Sequence, residues 1–221
     1  MEDLAARALK YGPALLNGTL VTLSYFVVGS VGSLLLALPL ALGLRTRRRP
    51  IRYLLLAYVE FFRNTPLLVQ LFWLHYALPM ITGIATTAPE TAALALVLVM
   101  TAYMAEVYRA GIGSVSQGQL EAAQSLGLSG RHSWALVVLP QAFRIALPAI
   151  GTLLVALLKA TTVLSILSVP ELMRVTTRIS NYTARPAEFY TMTAVVYVLL
   201  GIIVSRCIHS LERYLTPGPR K

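Results

Sequence analysis

From Pro13 to Leu44 the chain runs for 32 residues without one charged side chain. About 20 apolar residues are enough to cross the hydrocarbon core of a bilayer. This run is therefore read as a first transmembrane helix, long enough to span with tilt and overhang. The whole composition agrees: hydrophobic types make up 57% and charged types 13%. A soluble domain carries roughly twice that share of charge, and a disordered one is far less apolar. The Met1–Lys10 start does not read as a signal peptide. Glu2 and Asp3 precede Arg7 and Lys10, and no small-residue cleavage site follows a short apolar core.

Four further apolar runs follow, so the spans are placed at about 13–44, 53–81, 91–108, 137–169 and 189–210. The expected fold is all-α, a single transmembrane domain over 1–221 with five transmembrane helices. The runs are continuous rather than alternating, which excludes a membrane barrel. Several uncharged cores, such as Ile145–Leu158, reach membrane length only by including a charge, and such helices hide that charge in a bundle or an aqueous cavity.

Lys and Arg total 19 against 9 Asp and Glu. This excess fits either nucleic-acid binding or loops that orient a membrane protein, and its placement decides. If the 45–52 loop is inside, the inner set is Arg45, Arg47, Arg48, Arg49, Arg52, Arg109, Arg131, Arg144, Arg206, Arg213, Arg220 and Lys221. The outer set is Arg7, Lys10, Arg174, Arg178 and Arg185, with Arg63 and Lys159 at membrane depth. Basic residues favour the cytoplasmic loops, so five spans put the N-terminus outside and the C-terminus in the cytoplasm. No nucleic-acid partner is expected. The lone Cys207 forms no internal disulfide, and the lone His75 has no second ligand at metal spacing. No nucleophile, base and orienting group stand together for catalysis. Tyr53, Tyr103, Tyr108, Phe189, Tyr190 and Tyr214 sit near span ends, as an interfacial belt does.

The segment of about 114–136 lies between two spans. Ser114 or Ser116 each has Gln three positions on, the pattern of a capping box. Glu121, Ala122, Ala123 and Leu126 suit a short helix with small exposed side chains. Gly127 suits the positive-φ turn that ends it, and Pro140 the start of a second helix. Such a hairpin is either a docking site for a cytoplasmic partner or an amphipathic connector on the membrane surface.

Glu121-Ala122-Ala123, three residues, Gly127, nine residues, then Val137-Val138-Leu139-Pro140 resembles the EAA loop of ABC importer permeases, with Val137 where Ile is usual. Three further segments resemble the polar amino acid branch of that family, binding-protein-dependent and type I. They are Asn17–Ser24, Phe62–Phe72 with Asn64 in place of Gly, and Lys159–Ser165 followed by Glu171-Leu172. The resemblance covers roughly Pro13 to Leu215. It implies a bacterial inner-membrane permease subunit with a coupling-helix hairpin. It also implies an extracytoplasmic substrate-binding protein, a second permease subunit, identical or paralogous, and a cytoplasmic ATPase dimer that carries ATP and Mg. The sequence has no Gly-x-x-x-x-Gly-Lys-Ser/Thr, so ATP hydrolysis is expected on that partner, and no cofactor and no enzyme activity on this chain. Five spans are too few to enclose a pathway, hence the expected dimer. An ion-gradient-driven secondary transporter or channel for small polar solutes is the alternative. Such proteins commonly show paired broken helices in repeat halves, which five spans do not divide into.

On this resemblance Glu121 is assigned to ATPase coupling, Ala122 and Ala123 to a close-approach surface, and Gly127 to the turn. Lys159, Thr161, Thr162, Ser165, Arg63 and Glu171 are the candidates for the substrate pathway. Lys159, Thr162 and Ser165, each three apart, form a polar stripe that winds slowly around the helix, and Thr161 and Ser165, four apart, share a face. Lys159 either meets a substrate carboxylate, snorkels outward, or pairs with Glu171 or Glu60. Glu60 and Arg63, three apart, can pair, and Arg63 either faces the pathway or holds the helix ends beside Thr65-Pro66. Glu171 either gates the outer mouth, meets the delivering protein, or is a solvated loop charge. Lys159, together with Ala160 where the family commonly has a polar or acidic residue, leans against a cationic amino acid as substrate.

Overall fold

The computed structural model describes residues 4–215. The Glu2 and Asp3 start and the Pro217–Lys221 tail, with the inner charges Arg220 and Lys221, lie outside the described residues. Every regular element among them is helical. We label the helices α1 (Leu4–Gly43), α2 (Arg49–Asn64), α3 (Leu67–Thr82), α4 (Ala88–Gly113), α5 (Gln117–Ser125), α6 (Gly130–Leu167), α7 (Leu172–Thr183) and α8 (Pro186–Leu215). Four are long and apolar enough to cross a membrane: α1, α4, α6 and α8. The span expected over 53–81 is two helices, not one, and α3 is the shorter apolar piece.

That break is built by Pro66. The residue before a proline is pushed out of the α region, and Thr65 is extended at φ −105°, ψ 136°. Helix α2 therefore ends with carbonyls that have no helical partner. Gln70, which is buried, folds back and donates from Nε2 to Phe62 O (3.0 Å) and Thr65 O (2.8 Å).

Helix α4 is the central post. A capping box starts it: Thr87 Oγ1 accepts from Glu90 N, and Glu90 Oε2 accepts from Thr87 N (2.8 Å), with Pro89 in the first turn. Alpha1 crosses α4 on a stripe of small residues, with Ser30, Ser33, Ala37 and Ala41 buried. Small side chains let two helix backbones approach closely in a membrane protein. The opposite edge of α1 (Leu16, Leu20, Val27, Val31, Leu35) is exposed, as befits a helix with lipid or a partner on that side. One core cluster joins Leu71 and Leu74 of α3 to Leu96 and Val99 of α4 and Leu157 and Leu164 of α6. A second joins Ala37, Ala41, Met104, Ala105, Tyr108, Ala146 and Ile150.

Two helices contain one wide, five-residue π turn: Trp73–Ala77 in α3 and Trp134–Val138 in α6. Each is followed by Leu-Pro, at Pro79 and Pro140. Proline has no N–H and its ring crowds the carbonyl four residues back. A wide turn just before it takes that carbonyl out of the ordinary ladder. Pro140 stands, as expected, in the first turn of the α-helical stretch Leu139–Ala160, which the wide turn joins to Gly130–Ser133 as one longer helix.

Candidate functional site

Helix α5 hangs between α4 and α6. The expected capping box is not formed. Ser116 caps α5 without a side-chain bond, and Ser114 Oγ donates back to Ala110 O (2.9 Å). The far end matches the expectation. Gly127 takes φ +81°, its N–H donates to Gln124 O (2.9 Å), and Leu128 N donates to Ala123 O (3.2 Å). These two bonds make a Schellman turn. Glu121, Ala122 and Gly127 are exposed, and Leu126 is 83% exposed. Ala123 is not part of that surface: it is buried at 4% exposure. The hairpin is anchored by Ile112, Val138 and Ala142, with Leu120 and Trp134 against them.

The polar end of α6 keeps the expected stripe of Lys159, Thr162 and Ser165 but not the shared face of Thr161 and Ser165. Residues Thr161–Leu167 form a 3₁₀ helix, which has three residues per turn and eclipses i with i+3. Thr162 and Ser165 therefore fall in register, and Lys159, in the last α-helical turn, precedes them in a row linked by Thr162 Oγ1→Lys159 O (2.8 Å) and Ser165 Oγ→Thr162 O (2.7 Å). Thr161 leaves this row. It is fully buried and donates to Leu158 O (2.7 Å). The face shared by Thr161 and Ser165 assumed 3.6 residues per turn, and the tightened turn removes it. Lys159 is exposed and lines a groove of about 490 Å³ between α6 and α8, with Thr152, Ser205, His209 and Glu212. Among the described residues it forms no ion pair with Glu60 or Glu171.

Arg63 does not pair with Glu60. Its guanidinium lies over the Tyr103 ring (5.7 Å) and 3.8 Å from Glu106, which also accepts from Arg109 (3.0 Å). Glu60 instead accepts from Asn64 Nδ2 (2.7 Å). Tyr103 in turn donates its hydroxyl to Arg63 O (3.1 Å), so α4 holds the end of α2 at the break.

Glu171 is neither solvated nor free at a mouth. It is fully buried and caps α7, accepting from Met173 N (2.9 Å) and Arg174 N (2.6 Å). Tyr197 of α8 donates to it (3.0 Å), and Thr22 of α1 lies at 3.5 Å while accepting from Leu172 N (3.1 Å). Burial holds the Glu171 carboxyl above the usual carboxylate range, although all four groups pull it down. Gly18, one turn before Thr22, lets the backbone of Leu172 approach; a Cβ there would sit 3.0 Å from Leu172 Cα. The sequence reading missed Thr22, Tyr197, Gln70 and Glu106 as the partners that set these sites. Thr22 and Gln70 lie inside the segments that carried the resemblance. Among the described residues no three His, Cys, Asp or Glu side chains gather as a metal site.

Residues 17–217 match the binding-protein-dependent transport system inner membrane component. The chain belongs to that family. The permease is 35% identical over 207 residues to a probable amino-acid ABC transporter permease, y4tG, of Sinorhizobium fredii, which covers 94% of this chain and 89% of the relative. It is 34% identical to a probable glutamine ABC transporter permease, GlnM, of Bacillus subtilis, over 90% of this chain and 92% of that one. A crystal structure of an amino acid ABC transporter with histidines matches at TM-score 0.88 and 32% identity, covering 97% of this chain and 100% of that one. The methionine transporter MetNI matches at TM-score 0.80 and 18% identity, which shows the shared fold alone. The permease is thus a multi-pass inner-membrane transport component of the polar amino acid type, not an enzyme. Such a system implies an ATPase and a substrate-binding protein as partners.

Proposed function

We propose that this permease forms the translocation pathway of an ATP-driven amino acid importer together with a second permease subunit, identical or paralogous, and that α5 is its coupling helix. The observation that carries this reading is the hairpin: Glu121 and Ala122 are exposed on a short helix that a rigid Schellman turn at Gly127 closes. In this reading Glu121 meets a basic residue of a cytoplasmic ATPase dimer that binds ATP and Mg. Ala122 allows close approach, and Ala123 keeps the helix seated on its own chain. Helices α2 and α3 together supply a fifth crossing, with the N-terminus outside and the C-terminus in the cytoplasm.

The row Lys159, Thr162 and Ser165 is our candidate for the solute-facing surface. Its ammonium would meet the carboxylate of the amino acid delivered by the extracytoplasmic binding protein. What supports this is the open groove beside Lys159 and the lack of any ion pair there among the described residues. Arg63 and Glu171 act by positioning α2 and α7, respectively. The test is Glu121→Lys. The variant is expected to lose co-purification with the ATPase while keeping its own thermal stability. Undiminished co-purification refutes the coupling assignment, and uptake in proteoliposomes driven by an ion gradient without ATPase refutes the importer.

A further inference from the structure

Between Arg45 and Arg52 five of eight residues are arginine, and no Asp or Glu occurs anywhere from residue 4 to residue 59. Every residue from Arg47 to Leu54 is exposed. Among the described residues none of these five arginines has an ion-pair partner. Among the described residues only Arg45 of the five sets its guanidinium over an aromatic ring, that of Trp134 at 5.2 Å. That contact puts the cluster at the hairpin end of the molecule. Arg49 and Arg52 also lie in the first turn of α2, which holds no acidic residue, so the helix dipole adds to their mutual repulsion.

The apolar neighbours say what relieves that repulsion. Directly beyond the arginines stand Ile51, Tyr53 and Leu54, exposed at 43%, 67% and 72%. Guanidinium groups beside an exposed aromatic ring and aliphatic chains match the boundary between headgroups and acyl chains. A docking surface for an acidic protein alone has no use for the apolar half. We propose that the arginine-rich turn between α1 and α2 is a headgroup platform that holds anionic phospholipid in the leaflet at the hairpin end. Each basic residue near an anionic surface raises the preference about fivefold at low salt. The attraction falls off within a Debye length.

The full-length permease offers its own reporter. It has two tryptophans, Trp73 and Trp134. In a Trp73→Phe background, Trp134 beside Arg45 is quenched by brominated lipid in reconstituted bilayers. Brominated phosphatidylglycerol is expected to associate at least fivefold better than brominated phosphatidylcholine. Arg48→Gln with Arg49→Gln, which leaves Arg45, Arg47 and Arg52 to hold the orientation, is expected to lower that preference fivefold or more. Arg48→Lys with Arg49→Lys keeps most of it, and about 0.5 M NaCl abolishes it. Native mass spectrometry of the wild-type permease in detergent, counting retained phosphatidylglycerol against phosphatidylcholine, gives a second readout without substitution. Equal association of both lipids overturns the proposal, as does a Gln pair that keeps the preference. A Gln pair that keeps the lipid preference but sheds the ATPase overturns it in favour of protein docking.

Discussion

Replacing Glu171 with alanine tests whether the node at the start of α7 holds α1, α7 and α8 together. Four donors lose their acceptor: the amides of Met173 and Arg174 and the hydroxyls of Tyr197 and Thr22. Loss of a helix N-cap costs about 0.5–2 kcal/mol. A buried hydroxyl left unpaired adds about 1–3 kcal/mol. Removing a desolvated carboxylate returns part of this, so the net loss is placed at about 2–4 kcal/mol. For a chain of this size each kcal/mol lowers Tm by about 2–4 °C, which gives a drop of about 5–15 °C. The measurement is thermal unfolding in detergent, followed by loss of the monodisperse size-exclusion peak. Tyr197→Phe in the wild-type and Glu171→Ala backgrounds closes a double-mutant cycle, with an expected coupling of about 1 kcal/mol or more. A Glu171→Ala protein that melts within about 2 °C of the parent, or a cycle with no coupling, refutes the reasoning.

Because burial raises the Glu171 carboxyl, the folded state binds that proton more tightly than the unfolded one. Stability then falls as pH rises from the unfolded value through the folded one. Wild type should therefore gain Tm relative to Glu171→Gln when the pH is lowered from 7 towards that window, and an unchanged difference counts against the raised value. Gly111→Ala would set a Cβ 2.6 Å from Ala142 O and 3.1 Å from Ala146 Cβ. Overpacking of this kind costs about 1–3 kcal/mol, and a melt indistinguishable from wild type would show that α4 and α6 can separate freely. Gln70→Leu strips the carbonyls of Phe62 and Thr65 of their side-chain donor. We expect a loss of about 1–3 kcal/mol, read as a lower Tm.

The long apolar runs were legible because membrane length leaves so few solutions: 13–44, 91–108, 137–169 and 189–210 overlap the four helices long and apolar enough to cross a membrane. The turn at Gly127 was legible because only a positive-φ position needs that residue there. The span over 53–81 was not, since hydropathy does not register a break that is closed by a polar side chain four residues past the proline. Glu171 was misplaced for a related reason. Two of its four donors, Thr22 and Tyr197, are 149 and 26 residues away, and no local pattern announces that the carboxylate is buried. Thr161 was assigned to the wrong face because periodicity was taken as 3.6 where the backbone tightens. The local hydroxyl-to-carbonyl bonds that accompany that tightening have no sequence signature of their own.

The wide turn at Trp134–Val138 inserts one residue into the winding of α6. One residue is about 100° of rotation in a helix. The segment carrying the hairpin and the segment carrying Lys159 therefore have an angular offset that a straight rod would not have. Deleting a single residue there would leave both helical halves intact but shift the anchor that Trp134 and Val138 give the hairpin. It would turn the stretch that leads to α5 by about a quarter-turn around the axis of α6. The direction in which Glu121 points is thus stored as a count of residues in one turn, away from the Glu-Ala-Ala segment itself.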